Sequence, residues 1–185
     1  MNERIAAGVF CISDVAASSR VRLLETSSYE LVSASVHARR VSQVWVDGFS
    51  RAGKTNFAVR LAHHLGWRHI ECDGLVLEGG DSNRYANHVD YERLGKLIGN
   101  AEGGRTVIDG VCLREVMNSA LGASNAIFVY VARVSQPTPD SFLWHDMLDA
   151  EEVTGKVPWL FPDIQRYHRE HSPHQHADFV FLRID

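Results

Sequence analysis

Residues 42–65 read SQVWVDGFSRAGKTNFAVRLAHHL, and this stretch decides the fold of the chain. A short apolar run at residues 44–47 comes first, and the glycine-containing segment 48–55 follows it. Apolar residues then recur with the spacing of one helix face, at Phe57, Val59, Leu61, Ala62 and Leu65. A strand, a tight turn and an amphipathic helix in this order predict a βα unit.

The turn of this unit, GFSRAGKT, matches the pattern GxxxxGK[ST] of a phosphate-binding loop, or P-loop. Its two glycines let successive backbone N–H groups and the helix N-terminus point at anionic oxygens. Lys54 is predicted to reach the β- and γ-phosphates of a nucleotide, and Thr55 to offer its hydroxyl to magnesium. The alternative, a glycine turn that caps an ordinary helix, is disfavoured by the flanking strand and helix. The predicted nucleotide-binding residues are Gly48, Phe49, Ser50, Arg51, Ala52, Gly53, Lys54 and Thr55.

The predicted ligand of this loop is ATP with Mg²⁺. The chain has only three lysines, Lys54, Lys96 and Lys156, so a lysine-rich composition does not explain the one in the loop. A guanine nucleotide is disfavoured, because neither a DxxG segment nor an NKxD segment follows the P-loop.

The rest of the chain repeats the alternation of strand and helix. Further strands are predicted at residues 68–72, 106–108, 126–132 and 178–182, and further helices at 91–100, 113–121, 141–153 and 162–170. Continuous apolar strands between helices are typical of a parallel sheet that is covered on both faces. The predicted fold class is therefore a three-layer α/β sandwich of the P-loop NTPase type.

Two aspartates close predicted strands and are candidates for chemistry. Asp109 ends the run TVID, where an acid beside the phosphate loop can hold magnesium directly or through water. Asp73 ends HIECD, where a carboxylate can accept the proton of an attacking hydroxyl or orient it. For both residues the alternative is an ordinary turn aspartate, because Gly110 and Gly74 follow them.

The chain from residue 44 to the C-terminus resembles the uridine kinase-like branch of P-loop kinases. The segments that carry the resemblance are VWVDGFSRAGKT, HIECDGLV, HVDYERL, TVIDGVCL, AIFVYVAR and RYHREHSPHQHADFVFLR. The resemblance implies a five-stranded parallel sheet in the order 2-3-1-4-5, with ATP at the P-loop. It also implies an acceptor alcohol beside the second and third strands, with Asp73 at the position of the family's acceptor base.

The chain departs from this family in two places. Family kinases carry an arginine-rich lid after the fourth strand, but here Arg133 is followed by an acidic stretch with no arginine until Arg166. Either Arg133, Arg166 and Arg169 supply the positive charge that stabilises the phosphoryl group, or the lid chemistry is weak or absent. Residues 75–88 lack a DDFY-type nucleoside-binding sequence, so the acceptor is not identified.

The first 40 residues read differently from the rest and are predicted to form an N-terminal extension to a kinase-like domain at residues 41–185. They contain β-type runs at residues 8–12, 21–25 and 29–37, separated by serine-rich segments. A small β-hairpin is one interpretation of this extension.

Composition narrows the functional class. The net charge of −4 and pI near 6.2 disfavour general nucleic-acid binding. No apolar run approaches the roughly 20 residues that cross a bilayer, so a membrane partner is not expected. The three cysteines, Cys11, Cys72 and Cys112, are too scattered for a disulfide framework, which predicts a cytoplasmic location.

Histidines and aromatic residues near the C-terminus have two interpretations each. Clustered histidines can bind zinc, but a solvated connector is favoured because no cysteine or acid stands at ligand spacing. The aromatic residues Trp144, Trp159 and Phe161 could stack on a base, although core packing is favoured. The histidines concerned are His168, His171, His174 and His176.

These observations predict an ATP-dependent kinase that transfers the γ-phosphoryl group to an alcohol, either a nucleoside or another small metabolite. Lys54, Asp73, Arg133 and Arg166 are the predicted catalytic residues, and Thr55 and Asp109 the predicted metal ligands. The alternative is a nucleotide-dependent switch or NTP hydrolase that acts through a protein partner, and a pseudo-enzyme ranks last. Assembly into a homo-oligomer is left open.

Overall fold

The computed structural model describes residues 9–11, 21–25, 27–77, 82–120, 125–138, 141–144 and 159–184. The strands are β1 (Val9–Cys11), β2 (Val21–Leu23), β3 (Gln43–Asp47), β4 (Arg68–Glu71), β5 (Thr106–Asp109), β6 (Ile127–Thr138), β7 (Ser141–Trp144) and β8 (Phe179–Ile184). The helices are α1 (Ser27–Arg39), α2 (Lys54–Leu65), α3 (Tyr91–Gly99), α4 (Leu113–Ala120) and α5 (Leu160–His171). Short 3₁₀ turns are formed by Cys72–Leu75, Tyr85–His88 and Glu102–Gly104.

All eight strands belong to one mixed sheet, whose main path of six strands runs β1-β7-β6-β3-β5-β4. Strand β3 pairs in parallel with both β5 and β6, and β4 pairs in parallel with β5. Strand β8 pairs in parallel with β6 and carries β2 on its other side, also in parallel. The antiparallel pairs are β6 with β7 and β7 with β1.

The predicted sheet of five strands in the order 2-3-1-4-5 is wrong for the whole sheet, which is larger and has a main path of six strands. The five predicted strands themselves pair in parallel in that order, β4-β5-β3-β6-β8. Strand β6 does not end at residue 132 but continues to Thr138, and its C-terminal half pairs with β7. Residues 141–144 form the strand β7 in this pairing, although a helix was predicted at residues 141–153. Residues 145–153 of that predicted helix lie outside the described residues. The segments before residue 25 add two more strands.

Alternating side chains of the central strands build two cores, one on each face of the sheet. Trp45, Ile70 and Ile108 share one core with apolar residues of α3, α4 and α5. Val44, Val46 and Val107 share the other core with apolar residues of α1 and α2. Because neighbouring residues of a strand point to opposite faces, this division follows from the strand pattern. The three-layer α/β arrangement with helices on both faces is confirmed.

Residues 29–37 form most of helix α1, so the β-type run predicted there is wrong. Tyr29, Val32 and Val36 lie three and four residues apart, and this spacing places all three on the second core. The helix start is fixed by Ser28, whose Oγ accepts a hydrogen bond of 3.0 Å from the backbone N–H of Glu25. The described strands β1 and β2 pair with β7 and β8, not with each other, so they do not form a hairpin. The boundary near residue 40 stays a prediction.

No helix within the described residues combines the length and the apolar character needed to cross a membrane. The parallel pairing of the central strands brings their carboxyl ends to one edge of the sheet. In register, Val46 lies opposite Asp109, Glu71 opposite Asp109, and Asp47 opposite Tyr130. The loop after β3 and the acids that end β4 and β5 therefore meet at this edge, where ligands of open α/β sheets bind.

Candidate active site

The loop between β3 and α2 takes a shape that its glycines make possible. A Cβ atom on Gly48 would lie 2.3 Å from the carbonyl oxygen of Val131, so no side chain fits there. Gly53 has a φ of 94°, in the left-handed region that glycine adopts at little cost. The loop thus lies tightly against β6 and leads directly into the first turn of α2.

Lys54 is the first residue of α2 and is buried, with 6% of its surface exposed. Its side chain folds back over the loop, and Nζ donates a hydrogen bond of 2.7 Å to the carbonyl oxygen of Phe49. The ammonium group therefore lies over the loop with a neutral carbonyl as its partner. A phosphate oxygen is a stronger, charged acceptor, so exchange of the carbonyl for a phosphate would be favourable.

Thr55 and Asp109, the two predicted metal ligands, are in contact. The hydroxyl of Thr55 donates a hydrogen bond of 2.6 Å to Oδ2 of Asp109, a residue that is 1% exposed. An alcohol oxygen and a carboxylate oxygen are hard donors of the kind that Mg²⁺ takes beside phosphates. The residues present therefore fit a magnesium ion.

His69 joins this pair, although the sequence analysis did not single it out. Its Nε2 lies 2.5 Å from Oδ1 of Asp109. His69 belongs to β4 and points to the same face as Glu71, which stands opposite Asp109. Diagonal neighbours on adjacent strands can touch, so strand alternation in HIECD is the pattern that could have revealed this contact. The imidazole fixes the orientation of the carboxylate.

Asp73 lies in the 3₁₀ turn after β4 and is exposed. It lines a cavity of about 370 Å³ together with Lys54, Thr55 and further loop residues, Ser50, Arg51, Gly53 and Asn56. Oδ1 of Asp73 accepts a hydrogen bond of 2.6 Å from the hydroxyl of Tyr85. Burial and the nearby Asp73 raise the pKa of Tyr85, so its hydroxyl stays a proton donor in this bond. The structure thus brings Lys54, Thr55 and Asp73 together around one cavity.

Asp47 is a second residue that the sequence analysis missed. It ends β3 immediately before Gly48, is 2% exposed, and accepts a hydrogen bond of 2.7 Å from the N–H of Gly48. The hydroxyl of Tyr167, on α5, also donates to Asp47. Burial raises the pKa of Asp47 to about 6, against the lowering effect of these two hydrogen bonds. An acid directly before the P-loop pattern was visible in the sequence, but its burial was not.

The two arginines predicted to act on the phosphoryl group lie in different settings. Arg133 is half-buried on β6 and stands opposite Arg183 of β8. It is not among the described residues that line the cavity with Asp73. Arg166 on α5 contacts three carboxylates, those of Asp163, Glu115 and Glu170, at 2.5 to 2.9 Å. The hydrogen bonds to Glu115 are the main reason that the pKa of Arg166 is raised.

The C-terminal histidines are not a uniform solvated connector. His168 packs against Phe49 of the P-loop at 5.2 Å between ring centroids, and its Nδ1 donates a bond of 2.8 Å to the carbonyl oxygen of Ile164. Burial lowers the pKa of His168 to about 4, which keeps the ring neutral. Among the described residues, the grouping that could hold a metal ion is Glu115, Glu170 and His171.

That grouping contains one of the four histidines, and Arg166 already bridges its two glutamates. The core-packing prediction for the aromatic residues is confirmed for Phe161 and Trp159. Phe161 is buried against Phe49, and Trp159 stacks on His88 at 4.5 Å. The side chain of Trp144 lies outside the described residues.

Comparisons with known proteins add little to this geometry. No protein-family model matches the chain, and no curated protein matches it significantly. Among solved structures, shikimate kinase from Bacteroides thetaiotaomicron is similar with 15% identity and a TM-score of 0.35, over 76% of this chain and 85% of that one. The hydrogenase maturation factor HypB from Archaeoglobus fulgidus is similar with 13% identity and a TM-score of 0.34, over 84% of this chain and 87% of that one. At these scores neither likeness bears on what this chain does.

Proposed function

We propose that this protein is a small-molecule kinase that transfers the γ-phosphoryl group of ATP to an alcohol. The observation that carries the proposal is that Lys54, Thr55 and Asp73 line one cavity together, with Asp109 hydrogen-bonded to Thr55. A phosphate-binding cation, a magnesium-binding pair and a carboxylate for an acceptor hydroxyl are the parts that phosphoryl transfer needs.

In this proposal the backbone N–H groups of the loop and the Lys54 ammonium bind the phosphates of ATP. Thr55 and Asp109 hold Mg²⁺, which neutralises charge on the phosphate oxygens when it is bound. His69 orients Asp109, and Asp47 holds the first N–H of the loop in place. These contacts position the γ-phosphoryl group rather than react with it.

Asp73 acts on the acceptor. Its Oδ1 accepts from Tyr85, so Oδ2 is the oxygen that faces the acceptor alcohol. As the alcohol oxygen forms its bond to the γ-phosphorus, its proton passes to Asp73. The bond between the γ-phosphorus and the bridging oxygen breaks, and ADP leaves. The net products are a phosphorylated alcohol, ADP and a proton.

The second candidate is a nucleotide-dependent switch or hydrolase that works through a protein partner. One observation favours it: Arg166, predicted to stabilise the phosphoryl group, is engaged by three carboxylates. A partner protein could then supply the missing positive charge. The assignment to the uridine kinase-like branch, the cytoplasmic location, the domain boundary near residue 40 and the catalytic use of Arg133 and Arg166 stay predictions.

The test is transfer of label from γ-labelled ATP to a broad panel of nucleosides and other alcohols. The kinase proposal expects a labelled product with the wild type and a loss of about 100-fold or more with Asp73→Asn. The matched control is Glu71→Gln, which changes an exposed acid at the end of β4, two residues before Asp73. This variant should retain activity. ATP binding with hydrolysis but no transfer to any alcohol would instead support the switch or hydrolase.

A further inference from the structure

A second cavity, of about 400 Å³, adjoins the cavity lined by Lys54, Thr55 and Asp73, which is called the phosphate cavity below, and Asp73 does not line it. The two cavities share Gly53 and Asn56, at the start of helix α2. The second cavity is lined by Leu24, Glu25, Tyr29, Gly53, Asn56, Phe57, Arg60 and Arg183. Cavities of roughly 300 to 1,000 Å³ hold small ligands in proteins.

The direction in which a bound nucleotide must run connects the two cavities. Its γ-phosphoryl end has to face the acceptor beside Asp73, so the nucleoside has to leave the loop at the opposite end. Gly53 and Asn56 mark that end, because they line the second cavity but Asp73 does not. Arg183 lines the second cavity and also contacts the P-loop: its Nη1 donates to the carbonyl oxygen of Arg51 at 3.3 Å and lies close to Gly53.

We propose that the second cavity binds the adenosine half of ATP, and that Leu24, Glu25 and Tyr29 of the predicted N-terminal extension form one wall of it. The proposal rests on the proposed function, since it takes the phosphates to be at the P-loop. It gives these residues of the extension a role in the nucleotide site.

The chemistry of the lining suits a nucleoside. The Glu25 carboxylate accepts hydrogen bonds, and adenosine offers donors in its ribose hydroxyls and its amino group. Arg60 and Arg183 donate to ring nitrogens or stack their guanidinium planes on a base. Tyr29 lies flat on Phe57, with ring centroids 5.2 Å apart, which gives the wall a fixed aromatic part.

The wall is held in register with the P-loop by the sheet. Strand β2 pairs with β8, and the N–H of Leu24 donates a bond of 2.9 Å to the carbonyl oxygen of Leu182. Val32 and Val36 of α1 are buried in the same core as Phe57 of α2. Leu24 and Glu25 thus follow the anchored strand β2, Tyr29 belongs to the anchored helix α1, and Arg183 of β8 lines the same cavity.

Titration of ATP and of inorganic tripolyphosphate into the full chain separates the nucleoside contacts from the phosphate contacts. Glu25→Ala and Arg60→Ala are expected to weaken ATP binding about tenfold each, roughly 1.4 kcal/mol, and to leave tripolyphosphate binding within twofold. The matched controls are Glu30→Ala on the first turn of α1 and Arg93→Ala on α3, which should change neither affinity. Lys54→Ala should weaken both ligands.

Three outcomes would overturn the proposal, and they are distinguishable. If Lys54→Ala weakens ATP binding while Glu25→Ala and Arg60→Ala do not, the P-loop site stands and the adenosine assignment fails. If Arg60→Ala weakens ATP and tripolyphosphate equally, the cavity binds anionic charge and not a nucleoside. If the wild type binds neither ligand, the proposed function fails and this assignment with it.

Photolabelling with 8-azido-ATP provides a measurement that does not depend on how well a variant folds. Label on the peptide that contains residues 24–29, and its loss when excess ATP is added, is the expected result. Label that ATP displaces but that falls only on peptides outside the second cavity would overturn the proposal.

Discussion

The P-loop and helix α5 each carry a cation that was predicted to bind phosphate, and the two cations have different hydrogen-bond partners. Lys54 is buried and donates to one neutral carbonyl oxygen, that of Phe49. Arg166 contacts the carboxylates of Asp163, Glu115 and Glu170. Both residues were predicted from the sequence to act on phosphates, yet only one of them is placed to do so without breaking ion pairs.

The difference teaches how to separate a ligand-binding charge from a structural one. Transfer of the Lys54 hydrogen bond from a carbonyl to a phosphate exchanges a neutral acceptor for a charged one, which is favourable. The same transfer by Arg166 would take the guanidinium away from up to three carboxylates, which is costly in a partly buried place. We therefore expect Lys54 to determine nucleotide binding and Arg166 to determine stability.

The largest expected effect is that of Lys54→Ala on phosphoryl transfer. Removal of the ammonium group should lower the transfer rate about 1,000-fold, or about 4 kcal/mol in transition-state stabilisation. Steady-state kinetics with saturating acceptor measure it, and circular dichroism checks that the variant is folded. Lys96→Ala, which changes an exposed lysine of α3 outside the cavity, is the matched control. A Lys54→Ala variant with nearly wild-type activity would remove the basis of the comparison.

Arg166→Ala should act on stability instead. Loss of the guanidinium leaves Glu115 and Asp163 without their main counter-charge, so the free energy of unfolding should fall by about 3 kcal/mol. Urea denaturation measures this, with the exposed neighbour Arg169→Ala as the control. ATP affinity, measured where the variant is folded, should be unchanged. If transfer is lost while stability is kept, Arg166 is the phosphoryl clamp that the sequence predicted.

Asp47, directly before the P-loop, makes the free energy of unfolding depend on pH. Its pKa is raised from 3.8 to about 6, so the folded state binds the proton more tightly than the unfolded state does. The contribution to stability is complete below pH 4 and is lost as the pH rises through 6, by about 2 to 3 kcal/mol. Asp47→Asn should abolish this loss.

Two histidines act with the opposite sign in the same pH window. The pKa values of His168 and His174 are lowered by burial to about 4, so their contribution to stability grows as the pH rises from 4 to 6.5. The quantity to compare is therefore the difference in unfolding free energy between the wild type and Asp47→Asn at pH 4.5 and pH 7.5. A difference that does not change with pH would contradict the raised pKa of Asp47.

Local sequence was enough to predict the centre of the fold. The strand, loop and helix around residues 48–55 follow one another directly, so their pattern is complete within 24 residues. The contact between Thr55 and Asp109 also follows from a simple rule, since parallel neighbours bring their carboxyl ends to one edge. Both features depend on periodicity and strand direction, which one sequence carries.

What could not be predicted depends on pairing between distant segments. The C-terminal half of β6, which reaches Thr138, is stabilised by its pairing with β7. The residues near position 132 alone therefore do not indicate that the strand continues. Helix α1 was mistaken for a strand, since its valines and tyrosine favour β structure and only burial against α2 decides otherwise. Strand alternation in HIECD could place His69 on the right face, but its contact with Asp109 also needs the register of β4 with β5. The contact of Tyr85 with Asp73 joins two turns and has no periodic pattern in the sequence.

The smallest expected effect tests the acceptor end of the cavity. Tyr85→Phe removes the hydroxyl that donates to Oδ1 of Asp73 and keeps the ring in the core. One hydrogen bond to a carboxylate contributes about 1.5 kcal/mol, so kcat should fall about tenfold while the KM for ATP stays constant. Tyr91→Phe is the matched control, because its hydroxyl donates to the carbonyl oxygen of Ala86 in the same region. Equal losses in the two variants would mean that Tyr85 acts through local packing and not by positioning Asp73.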